Sequence, residues 1–121
     1  MILVDTSIWI DHLRRNDEEL VALLNAATVL IHPFIIGEIA LGNLKQRQLV
    51  LESLSDLPQA QSVTDAEALA FIELSRLAGT GIGYLDTHLL ASAKLSHAKL
   101  WTRDKKLAAL ATSLHLAFVT S

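Results

Sequence analysis

Short apolar runs of β type alternate with longer stretches of helical periodicity along the whole chain, and that alternation points to an α/β domain with a mostly parallel sheet. The strand-like runs lie at residues 2–5, 28–31, 61–63, 99–102 and 117–119. Between them, Thr6 and Ser7 can cap a helix through Leu13, and Asp17 a second to about Ala26. Pro33 suits the first turn of a helix continuing to about Leu44, and a further helix is predicted from Lys45 to Leu54. Thr64 and Glu67 form a capping box opening a helix to about Ala78, where Gly79 stops it. A last pair runs from Leu85 or Asp86 to about His97, and from Asp104 to Leu114. The stretch from Gly79 to Gly83 lacks the lysine and preceding strand of a phosphate loop and reads as a turn between helices.

With 121 residues the chain is large enough to bury a core, and residues 1–121 are expected to form one domain with no room for a linker. A hydrophobic share of 51% is high for that size. It implies either surface meant for a partner chain or an Ala- and Leu-rich helical core. The absence of cysteine removes disulfides and thiolate metal sites. Met1 leads directly into a predicted strand with no basic segment before it, so a cytoplasmic protein is expected. The longest apolar reach, Leu20 to Leu44, is interrupted by Asn25, Thr28, His32, Pro33 and Glu38 and is no membrane span.

Four acids stand against apolar stretches where packing gives a carboxylate no reason to be: Asp5, Glu38, Asp86 and Asp104. An ionised carboxylate in an apolar setting loses several kcal/mol of hydration unless a cation or proton compensates it. Each has a bland reading as well: Asp5 as a strand end, Asp86 and Asp104 as helix caps, the cap being the stronger reading for Asp86 alone. Glu38 has no such reading in mid-helix, where its neighbours Phe34, Ile35, Leu41 and Gly42 suggest an inward face. Groups at the carboxyl ends of adjacent parallel strands face one crevice, so Asp5 and Asp104 converge there if their strands are neighbours. Oxygen-only ligands select Mg²⁺ or Mn²⁺ over zinc, and such a cluster suits attack of water on a phosphodiester. None of the five histidines shows paired metal-ligand spacing, and Ser7 and Ser92 lie in no nucleophile turn.

A net charge of -3 argues against coating nucleic acid through bulk positive charge. It is compatible with a nuclease whose acidic site has a local basic rim, for which Arg14, Arg15, Lys45, Arg47, Lys94, Lys99, Arg103, Lys105 and Lys106 are candidates, Arg14, Arg15 and Lys105 foremost, though each also reads as solvated surface. Trp9 can stack on a base or sit in the core of the first helix, and the core is the stronger reading.

In order and spacing, Ile2-Leu3-Val4-Asp5-Thr6-Ser7, Ile36-Gly37-Glu38-Ile39, Leu85-Asp86-Thr87 and Trp101-Thr102-Arg103-Asp104 resemble a PIN domain, and within that superfamily the VapC toxins of toxin-antitoxin pairs. The resemblance spans essentially the whole chain. It implies a three-layer α/β/α domain with a central five-stranded parallel sheet, and an Mg²⁺- or Mn²⁺-dependent endoribonuclease acting on cellular RNA such as tRNA or rRNA. It makes Asp5, Glu38, Asp86 and Asp104 the metal-binding acids, supported by Thr102, Thr6 and Ser7. It also implies a homodimer and a VapB-like antitoxin whose tail enters the active-site groove. The sequence departs from the family after Asp104: where another acid and an aromatic residue often follow, this chain has Lys105, Lys106 and Leu107.

Rival readings are a PIN fold that binds RNA or protein without cutting, and a phosphoacceptor receiver domain. The receiver lacks support because Asp5 is followed by Thr6-Ser7 rather than a second acid, and Asp65 belongs to the capping box. A phosphatase with an Asp nucleophile would need an aspartate where Ser7 stands.

Overall fold

The structure, a computed structural model, describes residues 1–120. Three parallel strands form the sheet, β1 (Ile2–Val4), β2 (Val29–Leu30) and β3 (Lys99–Trp101), in the order β2-β1-β3. Register pairs Leu3 with Leu30 on one side and Leu100 on the other, and Val4 with Trp101. Successive strand residues point to opposite faces. Leu3 and Val4 are both fully buried, so the central strand is covered on both sides, which is why it is apolar throughout rather than alternating.

Among the described residues seven helices surround it: α1 (Thr6–Arg15), α2 (Glu18–Asn25), α3 (Pro33–Ala40), α4 (Arg47–Ser55), α5 (Asp65–Leu74), α6 (Tyr84–Leu95) and α7 (Lys105–Ser113). Helix α1 packs on α3 and α3 on α4, while α5 packs on α6, and α6 and α7 lie against β3. Every residue of α6 from Thr87 to Ala93 is buried, which makes it the central helix of the core.

The expected five strands reduce to three, with one bridge at each sheet edge. Ile31 bridges Gln59, and Leu100 bridges Ala117. At the first edge the chain peels away after Ala60 because α6 takes its backbone: Gln61 N–H donates to Ser96 Oγ at 2.8 Å, and Ser92 Oγ donates to the Gln61 carbonyl. The run at 61–63 therefore has no ladder. At the second edge a single pair of backbone bonds, Leu100 N–H to Leu116 O and Phe118 N–H to Leu100 O, joins the last segment to β3.

Helix α3 ends at Ala40, earlier than expected, because the Arg47 guanidinium bonds the carbonyls of Ala40 (2.5 Å) and Gly42 (3.2 Å) that a continuing helix would have used. Four other helices stop by one device. Ala27, Arg76, His97 and His115 adopt left-handed backbone after α2, α5, α6 and α7. In each case the next N–H reaches back to the helix: Thr28 to Leu23, Leu77 to Ile72, Ala98 to Ala93 and Leu116 to Ala111. This Schellman closure satisfies the last carbonyls without a glycine.

Candidate active site

Because β1 and β3 are adjacent and parallel, the chain leaves both at the same edge of the sheet, and Asp5 and Thr102 emerge side by side. Asp5 is 7% exposed, and its N–H donates to the Trp101 carbonyl at 2.9 Å. One carboxylate oxygen, Oδ2, accepts from Thr102 Oγ1 at 2.7 Å and from Ser7 Oγ at 3.0 Å. The other has no side-chain donor among the described residues, so two hydroxyls orient the group and leave one oxygen for a ligand.

The β3–α7 connection is wired to the same point. Thr102 Oγ1 accepts from the Asp104 N–H (3.1 Å), and Ser7 Oγ from the Arg103 N–H (3.0 Å). Asp104 caps α7 through Oδ1, which accepts from the Leu107 N–H at 2.8 Å. Its cap reading is thus realised, and its second oxygen remains. Asp86 is not a cap: Gly83 holds that position, and Asp86 sits in the first turn of α6. Glu38 is exposed, contrary to its expected inward face. Helix α3 buries Ile35 and Ile39, and Glu38 stands one residue off that stripe, where Thr6 Oγ1 donates to its Oε1 at 2.7 Å.

Asp86 reports how these groups come together. Burial first, and then the charges of Asp5, Asp104 and Glu38, together raise its pKa from 3.8 to about 6. All four sequence-selected acids therefore share one neighbourhood although they come from four separate segments. They are opposed rather than caged, since no three His, Cys, Asp or Glu side chains among the described residues are gathered closely enough to hold an ion. In donor chemistry the set fits a hard divalent cation: it is all oxygen, with hydroxyls fixing Asp5, and a cation would relieve the like-charge repulsion on Asp86.

The basic candidates fall on two helices, Arg14 and Arg15 at the last turn of α1 and Lys105 at the first turn of α7. Arg14 and Arg15 line an open pocket of about 420 Å³ together with Asp11, Asn16, Asp17 and Arg103. Lys105 is exposed at the first turn of α7. Lys106, beside it, reaches the 79–83 turn, its Nζ standing 2.9 Å from where a side chain on Gly81 would begin. Trp9 is buried in the core and is no base-stacking platform.

Two features escaped sequence reasoning. Arg103 grips Asp11 and Asp17 at 2.6 and 2.8 Å, and nothing in its local sequence names those partners. Behind the acids, His32, Phe34, His88 and Tyr84 form a chain of edge-to-face ring contacts with centroids 4.7 to 5.1 Å apart. His88, two residues from Asp86, turns to Asp65 at 3.3 Å rather than toward the acids. No helix among the described residues is long and apolar enough to cross a membrane.

Residues 2–113 match the PIN domain family. The chain is 50% identical over 110 residues to the ribonuclease VapC32 of Mycobacterium tuberculosis, in both strain CDC 1551 / Oshkosh and strain ATCC 25618 / H37Rv, covering 90% of this chain and 89% of the relative. Among solved structures, the crystal structure of FitAcB from Neisseria gonorrhoeae superposes with a TM-score of 0.65 at 23% identity over 93% of this chain and 94% of that one. The structure of FitAB bound to an IR36 DNA fragment gives 0.63 at 22% identity, over 93% and 91%. At those identities the superpositions speak for the fold.

Proposed function

The chain belongs to the PIN domain family, and from that premise we propose that it is a VapC-type toxin, a divalent-metal-dependent endoribonuclease that cleaves cellular RNA, tRNA or rRNA, and is held in check by a cognate antitoxin. The observation that carries this reading is the action of Asp5, Glu38 and Asp104 on the half-buried Asp86. The identity to ribonuclease VapC32 supports it.

In this reading Asp5, Asp86 and Asp104 hold Mg²⁺ or Mn²⁺, directly or through water, and Glu38 orients the attacking water. The bound ion supplies a water of lowered pKa and positive charge at the leaving oxygen. The chain's own residues do the rest. Thr102 and Ser7 fix one oxygen of Asp5, so that its ligand oxygen is aimed in advance. Thr6 steadies Glu38. Arg14, Arg15 and Lys105 hold the RNA backbone, compensating locally for a chain that is acidic overall.

The antitoxin and homodimer readings draw on exposed apolar surface. A shallow groove of about 290 Å³, whose lining includes Trp9, Leu13, Leu24, Leu49, Val50 and Leu57, suits the apolar face of a helix. Leu41, 90% exposed just past α3, suits burial against a second copy.

The deciding experiment expresses wild type and Asp86→Asn in a bacterial host and incubates each purified protein with structured RNA plus Mg²⁺ or a chelator. Growth arrest and Mg²⁺-dependent cleavage by the wild type alone are the expected result. Equal arrest and equal cleavage by both would remove Asp86 from the site.

A further inference from the structure

The turn joining β3 to α7 carries two residues that face the acids, Thr102 and Asp104, and between them one whose side chain points the other way. Thr102 bonds Asp5, and Asp104 caps α7 beside it. The Arg103 backbone N–H belongs to the inner network, donating to Ser7 Oγ at 3.0 Å, while its guanidinium spans two carboxylates on the outer side. Nη1 donates to Asp11 Oδ2 of α1 at 2.6 Å, and Nη2 to Asp17 Oδ2 at 2.8 Å.

The two anchors differ: Asp17 is held at a helix start, and Asp11 is exposed on a helix face. Asp17 is the N-cap of α2: its Oδ1 accepts from the Leu20 N–H at 3.0 Å, and its own N–H donates to His12 Nδ1 at 2.9 Å. Asp11 lies on α1, the helix that begins directly after Asp5 and carries Ser7. The guanidinium also lies over the Trp101 ring, 5.9 Å from its centroid. Arg103 is thus fixed by a ring on the preceding strand, β3, and by two carboxylates on the segment following β1. It clamps the outer face of the turn whose inner face carries two site residues.

We propose that Arg103 is a positioning residue for the metal site: its two-carboxylate grip on Asp11 and Asp17 sets the turn so that Thr102 meets Asp5 and Asp104 faces Asp86. The proposal rests on the nuclease reading and assigns no substrate contact to Arg103. Lysine cannot replace it, because an ammonium is a single point of charge, whereas the guanidinium fork serves two acceptors in fixed directions. The pairs are partly exposed, and ion pairs of that kind contribute little to stability. Losing the clamp therefore disturbs the site more than the fold.

The test measures Mn²⁺ binding by electron paramagnetic resonance, alongside thermal unfolding, for wild type, Arg103→Gln, Arg103→Lys, Asp11→Asn and the Arg103→Gln/Asp11→Asn double variant. Arg103→Gln is expected to bind Mn²⁺ about tenfold more weakly, the size of effect typical of groups that orient metal ligands, with melting close to wild type. Arg103→Lys should recover only part of that loss. Asp11→Asn should weaken binding by a smaller factor and add nothing in the Arg103→Gln background. Wild-type affinity in a folded Arg103→Gln overturns the proposal. Should that variant not fold, wild-type affinity in Asp11→Asn does the same. Wild type that binds no Mn²⁺ overturns the nuclease reading and this proposal together, which separates the two failures.

Discussion

Thr102 Oγ1 donates to Asp5 Oδ2 at 2.7 Å across 97 residues of sequence. That bond ties the ends of the two adjacent strands and orients a carboxylate that is almost wholly buried. The same hydroxyl accepts from the Asp104 N–H, so one side chain orients two of the four acids.

Thr102→Val keeps the shape of the side chain and removes the hydroxyl. Asp5 then retains Ser7 as its only side-chain donor, and the Asp104 N–H loses its acceptor. RNA cleavage at limiting Mg²⁺ is expected to fall about tenfold, and the melting temperature to drop by a few degrees, since one net hydrogen bond contributes roughly 1 kcal/mol. A Mg²⁺ titration of cleavage beside a thermal melt checks both, and unchanged Mg²⁺ dependence would show that Asp5 needs no help from Thr102.

Asp86 gives the site a pH signature. Its folded pKa is about 6 against an ordinary 3.8, raised first by burial and then by Asp5, Asp104 and Glu38. Between those values the unfolded chain has released the proton and the folded chain still holds it, so stability falls as pH rises through this window and stays lower above it. Asp86→Asn removes that loss. The variant should melt higher than wild type at about pH 8, with the gap closing near pH 4. Added Mg²⁺ should raise the wild-type melting temperature and leave the variant's unchanged. A gap that does not vary with pH would mean that Asp86 is not held up in the folded state.

How much of this was legible in the sequence differs from residue to residue. Asp5 and Asp104 could be placed together because both follow short apolar runs and a parallel sheet brings strand ends to one edge. Glu38 was wrongly turned inward, because apolar helical neighbours were taken as buried ones, and Leu41 is 90% exposed. The strand expected at 61–63 failed on partners that local pattern cannot show: Ser92 of α6 and Ser96, its C-cap, take the Gln61 backbone from 31 and 35 residues away. The two-carboxylate grip of Arg103 was hidden for the same reason, since its acceptors lie 92 and 86 residues back along the chain.

His32 should give the opposite slope to Asp86. It is 1% exposed, and burial, with a smaller effect from His88, lowers its pKa from 6.5 to about 4. Below 6.5 the unfolded chain takes up a proton that the folded chain refuses until about 4, so stability declines as pH falls through that interval. His32→Asn keeps a side-chain acceptor for the Phe34 N–H at the start of α3 and abolishes the titration. The loss of imidazole packing lowers stability at every pH, so the informative quantity is the slope. Urea unfolding between about pH 7 and pH 4.5 should show a flatter acid limb for the variant, and an equal slope would locate the acid sensitivity elsewhere.

The glycine-free helix ends offer a gain in stability that leaves the site untouched. Ala27 has φ 58 and is exposed, and it closes α2 through the Thr28 N–H to Leu23 bond at 3.1 Å. Left-handed backbone costs an ordinary L-residue about 1–2 kcal/mol, while glycine adopts it freely but gives up about 0.5–1 kcal/mol through the greater freedom of its unfolded chain. The balance favours Ala27→Gly by about 0.5–1 kcal/mol. His97 (φ 53) and His115 (φ 60) are exposed in the same conformation after α6 and α7, so glycine there should act alike. The sites share no hydrogen-bond partner, so their effects should add nearly independently. Denaturant midpoints of the single and combined variants test this; a combined variant no more stable than wild type would mean that the left-handed turns carry no strain for glycine to relieve.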